Sequence, residues 1–448
     1  MQRQRPDHHK AGPGGPRRDG HRFSAPFNGK RRERNHEQAE AEALRQAEAA
    51  IPDHPLVCRD NPILVTTPQG LARTVSHLRD VGRFGFDTEF IGEQSYFPKL
   101  CLVQAATPER VFVIDAMARD LDLTPFWELV VDPTIEKVVH AGLQDLEPAT
   151  RYTGRMPANV FDTQIAAAFA GYTYPVGLAR LVTSLVSIDL GKGLKFSQWD
   201  RRPLSQVQIR YAASDVRFLL LLRQRIEEKL EAAGNLALAR EECNSLCSPS
   251  NYGFDPEIQY QRVRGAGPLR PRELAVLRQL VIWRDEQARH HDLPPRTLLP
   301  DAVLIQLSRA PVSDVEGLRQ VSGMPRPLIS EHGEELVKAI AQGLKAAPAD
   351  MPQQMRVKET AAEKEAIASL WQTMENVAKE KQIDIAMISS KAELSETCRL
   401  LARGTLPMQS RLFSGWRSKV AGPVIRQALM TPLAAPAPEV GKSEEKSS

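Results

Sequence analysis

The clearest chemical signal in this chain is a pair of carboxylates inside an apolar run, Asp87 and Glu89 in RFGFDTEFI. If the run is a β-strand, both side chains point to one face and Thr88 points to the other. Carboxylates buried side by side repel each other and are costly to desolvate, so the pair predicts a bound cation. The alternative is a strand end in water. Since Asp-x-Glu recurs at three other places, the tripeptide alone is weak evidence.

Two later segments supply further acids. HAGLQDLEPAT, residues 140–150, predicts a strand followed by a helix with Asp145 in its first turns, although aspartate is also common there because it complements the helix dipole. YAASDVRFLLLL, residues 211–222, predicts a helix in which Tyr211 and Asp215 are four residues apart and share a face. Because the rest of that helix is apolar, this face is expected to be buried, where an aspartate needs a partner.

Together these segments offer four carboxylates and one phenol. If the acids converge without basic partners, divalent metal must neutralise them, and oxygen-only ligands favour Mg²⁺ or Mn²⁺ over zinc. Two such ions, roughly 3.5 to 4 Å apart, activate a water and stabilise the leaving oxygen in an in-line attack on a phosphodiester. The pattern therefore predicts two ions per site and phosphodiester cleavage.

FDTEF, HAGLQDLE and YAASD closely resemble the three exonuclease motifs of the DEDD superfamily, in the branch that carries a tyrosine, on a ribonuclease H-like fold. FDTEFIGEQSYFPKLCLVQ and GLKFSQWDRRPLSQVQIRYAASDV are similar to the ribonuclease D family. RELAVLRQLVIWRDEQARHHDLPPRTLLPDAVLIQLSR resembles its helicase-and-RNase-D C-terminal (HRDC) module. The resemblance covers about residues 60–430, and it is loose over the last helical segment.

The resemblance implies a role for each candidate residue. Asp87 should bridge both ions, Glu89 and Asp215 should complete the site of the ion that holds the attacking water, and Asp145 should serve the second ion. Tyr211 should orient the water, because a phenol of pKa about 10 is a poor base at neutral pH. The implied enzyme is a 3′ to 5′ exoribonuclease that releases nucleoside monophosphates from structured RNA, with tRNA precursors as substrates.

Two other functions remain open at this stage. A DNA exonuclease of the same fold would carry the same acids, because the carboxylates do not distinguish ribose from deoxyribose. A non-catalytic RNA-binding scaffold would use only the tail and the helical modules. The presence of all four candidate carboxylates argues against this function.

A chain of 448 residues is longer than one hydrophobic core usually supports, which predicts two or three domains. We expect a disordered basic tail over residues 1–55, and then an α/β exonuclease domain of ribonuclease H-like fold, with a mixed sheet, over 60–240. Two all-α units should follow, an HRDC domain at 268–347 and a second HRDC-like domain at 363–430, before a flexible tail at 431–448. The two helical units share an order of elements that indicates distant copies of one module.

Charge and cysteine usage restrict the class of protein. The net charge is +4, but residues 1–34 carry +7, so the charges of the remaining 414 residues sum to −3. Any RNA binding by the folded part must therefore depend on local basic patches. Five scattered cysteines argue against a disulfide framework and favour a reducing compartment. The longest apolar runs are too short to span a membrane. We therefore expect a soluble cytoplasmic protein that does not bind a membrane; RNA is its expected partner, and the sequence predicts no protein partner.

Several other residues admit a functional and a structural interpretation. His140 could face the scissile phosphate, but a strand-end histidine is more often structural. Lys192, Lys195 and Trp199 could bind backbone and stack on a base, or Trp199 could simply be packed. Three further groups also admit an ordinary structural or solvent-exposed role. Cys243 and Cys247 could bind zinc, His290 and His291 could lie in solvent at a helix end, and five arginines could contact phosphate: Arg270, Arg272, Arg278, Arg284 and Arg289.

Overall fold

A six-stranded mixed sheet forms the centre of the N-terminal half of the protein, with strand order β1-β4-β3-β2-β5-β6. The computed structural model describes residues 51–92, 94–190, 198–352, 360–402 and 410–430. The strands are β1 Ile63–Val65, β2 Arg83–Ile91, β3 Lys99–Ala106, β4 Val111–Asp115, β5 Glu136–Val139 and β6 Val160–Asp162. Of the two predicted tails, 1–55 and 431–448, residues 1–50 and 431–448 lie outside the described residues, as do Lys192 and Lys195.

Strand β2 is the longest and is paired on both sides. It runs antiparallel to β3 along nearly its whole length, with a register shift between Glu89 and Phe90. On its other side it is parallel to β5, but only from Arg83 to Gly85, where β5 ends. The C-terminal part of β2, which carries the two predicted carboxylates, therefore extends beyond its neighbour. Phe84 and Phe86 are fully buried and anchor the strand in an aromatic cluster with Phe126.

Helices cover both faces of this sheet. They are α1 Pro68–Val81, α2 Thr124–Val130, α3 Leu143–Thr153, α4 Thr163–Ala168, α5 Leu178–Val186, α6 Gln206–Arg217, α7 Leu219–Ala232 and α8 Leu236–Ser245. The start of α6 is fixed by a capping box between Ser205 and Gln208. The apolar residues of segment 205–230 are typical of a single helix, but the structure has two, because the Phe218 N–H bonds to the Val216 carbonyl oxygen and interrupts the ladder.

The first helical unit has its own hydrophobic core, with Leu280, Leu304 and Leu336 at its centre. Its helices are α9 Pro256–Gln259, α10 Pro271–His290, α11 Pro295–Leu298, α12 Asp301–Arg309, α13 Val315–Arg319 and α14 Arg326–Leu344. The polar sequence of residues 243–267, with its Gly and Pro residues, is typical of a linker. In the structure its end is packed, because Tyr260 and Val263 are buried in the same core.

The second helical unit packs against the sheet domain and shares one continuous core with it. Its helices are α15 Ala361–Glu380, α16 Ile385–Ile388, α17 Lys391–Ala402 and α18 Gly415–Met430. The Trp416 ring centroid is 4.9 Å from that of Phe169. The Arg417 guanidinium donates two hydrogen bonds to Glu242 on α8, at 2.7 and 2.8 Å. The chain segment 361–430 therefore completes the catalytic half, although the first helical unit separates the two in sequence. That the two helical units are copies of one module stays a prediction.

The architecture is α/β for the sheet domain and all-α for the region that follows, which confirms the predicted fold class. Among the described residues, none of the helices is long and apolar enough to cross a membrane.

The shared core predicts that Trp416→Ala destabilises the sheet domain. Removing this buried ring should cost about 3–5 kcal/mol and should lower the temperature at which nuclease activity is lost. The measurement is residual activity on a short oligonucleotide after graded heating. The matched control is Leu280→Ala, a core truncation of about 2–5 kcal/mol in the first helical unit, which should shift heat inactivation less. Equal shifts for the two variants would contradict a core shared with α18.

Candidate active site

Strand β2 and helix α6 bring three of the predicted acids together. Asp87 and Glu89 are on the part of β2 that passes beyond β5, and Asp215 is on α6, which packs against β2 and β3. One carboxylate oxygen from each of the three residues lies within 4.8 Å of the others. Residues separated by more than 120 positions in sequence thus form one cluster, hereafter the carboxylate cluster.

Asp145 approaches the same strand from the gap that β5 leaves. It lies at the start of α3, directly after β5, and it accepts a hydrogen bond from the Thr88 hydroxyl. It is outside the three-residue group, but its charge acts on Asp87 and Glu89. Alternation places Thr88 on the other face of β2, and its contact with Asp145 shows that α3 reaches the strand across its free edge.

Burial dominates the electrostatics of these acids. It raises the pKa of Glu89 to about 8, and the charges of Asp215 and Asp145 add to the shift. It raises the pKa of Asp215 to about 7 and that of Asp145 to about 6, although hydrogen bonds from Tyr211 and Thr88 act in the opposite direction. The pKa of Asp87 is well above its usual range, because of burial and then the charges of Asp145, Asp215 and Glu89. Asp87 thus interacts with all three other acids.

Tyr211 donates a hydrogen bond to Asp215 one turn along α6. Burial, followed by the charges of Asp215, Glu89 and Asp87, raises the pKa of the phenol. The hydroxyl is therefore a proton donor at neutral pH and cannot act as a base.

The donor set fits hard divalent cations. Within the described part of the chain, no ion pair shorter than 4 Å joins any of the four acids to a basic side chain. Four partly charged carboxylates in a buried site without such a partner are unfavourable unless a cation binds, and carboxylate oxygens suit Mg²⁺ or Mn²⁺. The site can hold metal and has a hydrogen-bond donor in Tyr211 beside it.

Comparison with known proteins agrees with this geometry. The family model described as 3'-5' exonuclease matches residues 62–231, and the HRDC domain model matches residues 273–340. Ribonuclease D of Gluconacetobacter diazotrophicus is 34% identical over 379 residues, which is 84% of this chain and 93% of that protein. Ribonuclease D of Granulibacter bethesdensis is 36% identical over 366 residues, 81% of this chain and 91% of that protein. The chain belongs to the ribonuclease D family.

The fold agrees with that assignment. The crystal structure of Escherichia coli RNase D, described as an exoribonuclease involved in structured RNA processing, superposes with a TM-score of 0.72 at 27% identity. The superposed region covers 83% of this chain and 99% of the E. coli chain. As a ribonuclease D family member the protein is an exoribonuclease, and its sheet domain is the nuclease.

An arginine that the sequence did not reveal attaches the loop before α6 to the sheet. Arg202 donates to Asp115 at the end of β4 through Nε, at 2.6 Å. Its other nitrogens donate to the Trp199 and Cys101 carbonyl oxygens, at 2.6 and 3.1 Å. Trp199 in turn packs on Tyr211, with ring centroids 6.2 Å apart. In this ribonuclease D family member, Arg202 and Trp199 thus hold α6 and its Tyr211 over the carboxylate cluster. The sequence signal for this attachment was Asp115, the aspartate that ends the strand VFVID.

The structural interpretation holds for most other candidates. Trp199 is 4% exposed and is packed, not available to stack on a base. His140 is hydrogen-bonded to the Thr163 hydroxyl at 3.0 Å. Buried Cys243 bonds to the Asp162 backbone instead of a metal cluster. Four of the five arginines are paired with acids in the first helical unit or just before it: Arg270 with Glu273, Arg278 with Glu257, Arg284 with Asp301 and Arg289 with Asp285.

The raised pKa values predict how the metal-free protein responds to pH. A carboxyl with a higher pKa in the folded than in the unfolded chain stabilises the fold below its unfolded value, about 4, and that stability is lost as pH rises through the folded value. With folded values of about 6 to 8 for Asp145, Asp215 and Glu89, the thermal midpoint in EDTA should fall between about pH 5 and 9. Added Mg²⁺ should raise the midpoint more at the alkaline end, since bound cations stabilise the ionised acids.

The control for this measurement is Asp215→Asn, which removes one titrating group and should give a shallower fall. A metal-free midpoint that rises across this range, with or without the substitution, would contradict the electrostatic description of the cluster.

Proposed function

We propose that this exoribonuclease is metal-dependent and trims the 3′ ends of structured RNA, tRNA precursors in particular, one nucleoside monophosphate at a time. The observation that carries the proposal is the carboxylate cluster, in which Asp87, Glu89 and Asp215 meet within 4.8 Å at a buried site. The degradation of structured RNA is supported by the relationship to E. coli RNase D, whose structure is described as that of an exoribonuclease involved in structured RNA processing.

Four carboxylates would hold two Mg²⁺ or Mn²⁺ ions. Asp87 is the candidate for the position between the ions, because it interacts with each of the other three acids. Glu89 and Asp215 would bind one ion and Asp145 the other. Bound there, the ions would lower the pKa of an attacking water and stabilise negative charge on the phosphate. The Thr88 hydroxyl, which bonds to Asp145, fixes the orientation of that carboxylate.

Tyr211 would position the water that attacks the terminal phosphodiester. Its hydroxyl keeps its proton, since burial and neighbouring acids raise its pKa. Its position is fixed by Asp215 on one side and by the Trp199 ring on the other. Holding the reacting atoms in line in this way contributes to rate without proton transfer by the phenol.

The cytoplasm is the proposed location. All five cysteines are free and Cys58, Cys101 and Cys243 are buried, an arrangement that suits a reducing compartment.

The deciding experiment follows tRNA precursors labelled at either end. With Mg²⁺ or Mn²⁺ the 3′ label should appear first as a mononucleotide and the 5′-labelled strand should shorten stepwise, while EDTA should stop both. A matched DNA strand should be degraded more slowly. Equal rates on RNA and DNA would contradict selectivity for RNA, and faster degradation of DNA would move the assignment to a DNA exonuclease. Full activity in EDTA would overturn the metal-dependent mechanism.

Loss of one carboxylate should separate activity from stability. Asp87→Asn should lower kcat by a factor of about 10² to 10³, the equivalent of several kcal/mol of lost metal-dependent stabilisation. The same change removes repulsion, so the metal-free thermal midpoint should stay level or rise. Single-turnover kinetics and thermal melts in EDTA measure the two effects. The matched control is Glu109→Gln, an exposed carboxylate of the same domain, which should change neither.

A further inference from the structure

A cavity of about 590 Å³ lies beside the carboxylate cluster and is not used by the mechanism above. Its walls come from the connection between β2 and β3, from the end of α3 and from the first helical unit. We call it the β2–β3 cavity. Its lining includes Ile91, Phe97, Lys99, Arg151, Tyr152, Asp200 and Asp292.

Two aromatic rings in this cavity face solvent. Phe97 is 37% exposed and Tyr152 is 42% exposed, whereas Phe84, Phe86 and Phe126 of the same domain are fully buried. The Tyr152 ring is held in place, because it stacks on the buried Trp127 ring with centroids 6.0 Å apart and planes 26° apart. Such rings are suited to stacking on bases.

A guanidinium lies between the two rings. The Arg151 carbon Cζ is 4.9 Å from the Phe97 ring centroid and 5.8 Å from that of Tyr152. Its acidic neighbour on the same helix, Glu147, is 3.7 Å away and partly exposed, and a pair of this kind is weak. The lining holds two positive side chains, Arg151 and Lys99, and two negative ones, Asp200 and Asp292. The two cations lie beside the two aromatic surfaces, a combination that suits single-stranded nucleic acid.

The cavity lies further along β2 and α3, the two elements that carry Asp87, Glu89 and Asp145. Ile91 is two residues beyond Glu89 on β2, and Arg151 is six residues beyond Asp145 on α3, which is about 9 Å along the helix axis. A strand whose terminal linkage lies at the cluster would therefore have its preceding nucleotides at the cavity.

The first helical unit fixes the wall that carries Phe97. The Tyr96 hydroxyl donates to Asp285 on α10 at 2.7 Å and accepts from Arg289 at 3.1 Å. The Tyr96 backbone N–H donates to Asp292 at 3.1 Å, so this carboxylate at the cavity edge already has a partner. The Tyr96 ring contacts Phe97 edge to face, with centroids 4.8 Å apart.

We propose that the β2–β3 cavity binds the nucleotides that precede the terminal linkage of a single-stranded RNA 3′ end. Phe97 and Tyr152 stack on bases, and Arg151 and Lys99 contact the phosphates between them. This assignment rests on the proposed function, since it takes RNA to be the substrate of the cluster. It gives the first helical unit a role in substrate binding through Tyr96, a positioning residue.

The test compares a single-stranded RNA of about ten nucleotides with the 4-nitrophenyl ester of a nucleoside 5′-monophosphate, which offers a scissile phosphate to the cluster but has no nucleotide preceding it. Phe97→Ala, Tyr152→Ala and Arg151→Gln should each lower the ratio of kcat/KM on the RNA to kcat/KM on the ester by about tenfold, the effect of losing one stacked base. Tyr152→Phe keeps the ring and should restore the ratio. The matched control is Arg155→Gln, which removes an exposed charge just beyond the same helix and should leave the ratio unchanged.

A second measurement guards against variants that simply fold poorly. In an Asp87→Asn background without metal, fluorescence anisotropy of the 5′-labelled RNA should show the same loss of affinity, with melting curves checking the fold. An unchanged ratio and unchanged affinity in all three variants would overturn the cavity assignment while leaving the nuclease intact. Failure of the unaltered chain to shorten any RNA would overturn the proposed function instead, and the anisotropy titration would still decide whether the cavity binds RNA.

A different observation concerns Gln104, in the middle of β3. The residue is completely buried, and within the described residues neither its side-chain nitrogen nor its oxygen has a hydrogen-bond partner. It pairs directly with Asp87 across the two strands, so both side chains are on the same face of the sheet. An amide left unpaired in a core costs stability that an apolar side chain would not.

We infer that Gln104 positions the Asp87 carboxylate in the metal-loaded site by donating a hydrogen bond from its amide nitrogen. The test is Gln104→Met, nearly equal in size and without polar hydrogen. Calorimetry should show Mg²⁺ affinity lowered about 10- to 100-fold, the effect of losing an outer partner of a ligand, while the metal-free thermal midpoint should not fall. Leu102→Met, an apolar exchange on the same face of β3, should leave Mg²⁺ affinity unchanged. Unaltered Mg²⁺ affinity in Gln104→Met would overturn the inference.

Discussion

Mutual repulsion between buried acids is the constraint on which the rest of this structure depends. Asp87, Glu89 and Asp215 are held within 4.8 Å of one another, and the described residues place no basic side chain against them. The fold must therefore supply the free energy that keeps them together. It does so with a central strand anchored by aromatic packing and with a capped helix pressed against it. The site is thus costly to the free protein and becomes favourable when cations bind.

The position of the cluster follows from the lengths of two strands. Because β5 stops opposite Gly85, the last residues of β2 have a free edge, and α3 enters there with Asp145. Had β5 continued, its side chains and ladder would occupy this space. The bond from Thr88 to Asp145 marks the contact, and it makes both faces of β2 contribute to one site.

The elements nearest the chemistry could be predicted from sequence, because their patterns are local. RFGFDTEFI alternates as a strand, and Tyr211 and Asp215 share a face through helical periodicity alone. The interruption at Phe218, the attachment of Arg202 to Asp115 and the pairing of Gln104 with Asp87 depend on residues distant in sequence, so a single sequence carries little signal for them. The shared core of the sheet domain and the second helical unit was missed for the same reason, since amphipathic helices indicate that they pack but not against what.

That shared core makes the catalytic half of the molecule discontinuous in sequence. Residues 361–430 contribute Met374, Ile388 and Trp416 to the same core as the strands, while the first helical unit is inserted between the two parts and folds around its own centre. During synthesis the sheet emerges from the ribosome long before the helices that complete it, and contacts of such separation form slowly. The core of the sheet domain therefore stays incomplete in a nascent chain until residues 361–430 have been synthesised.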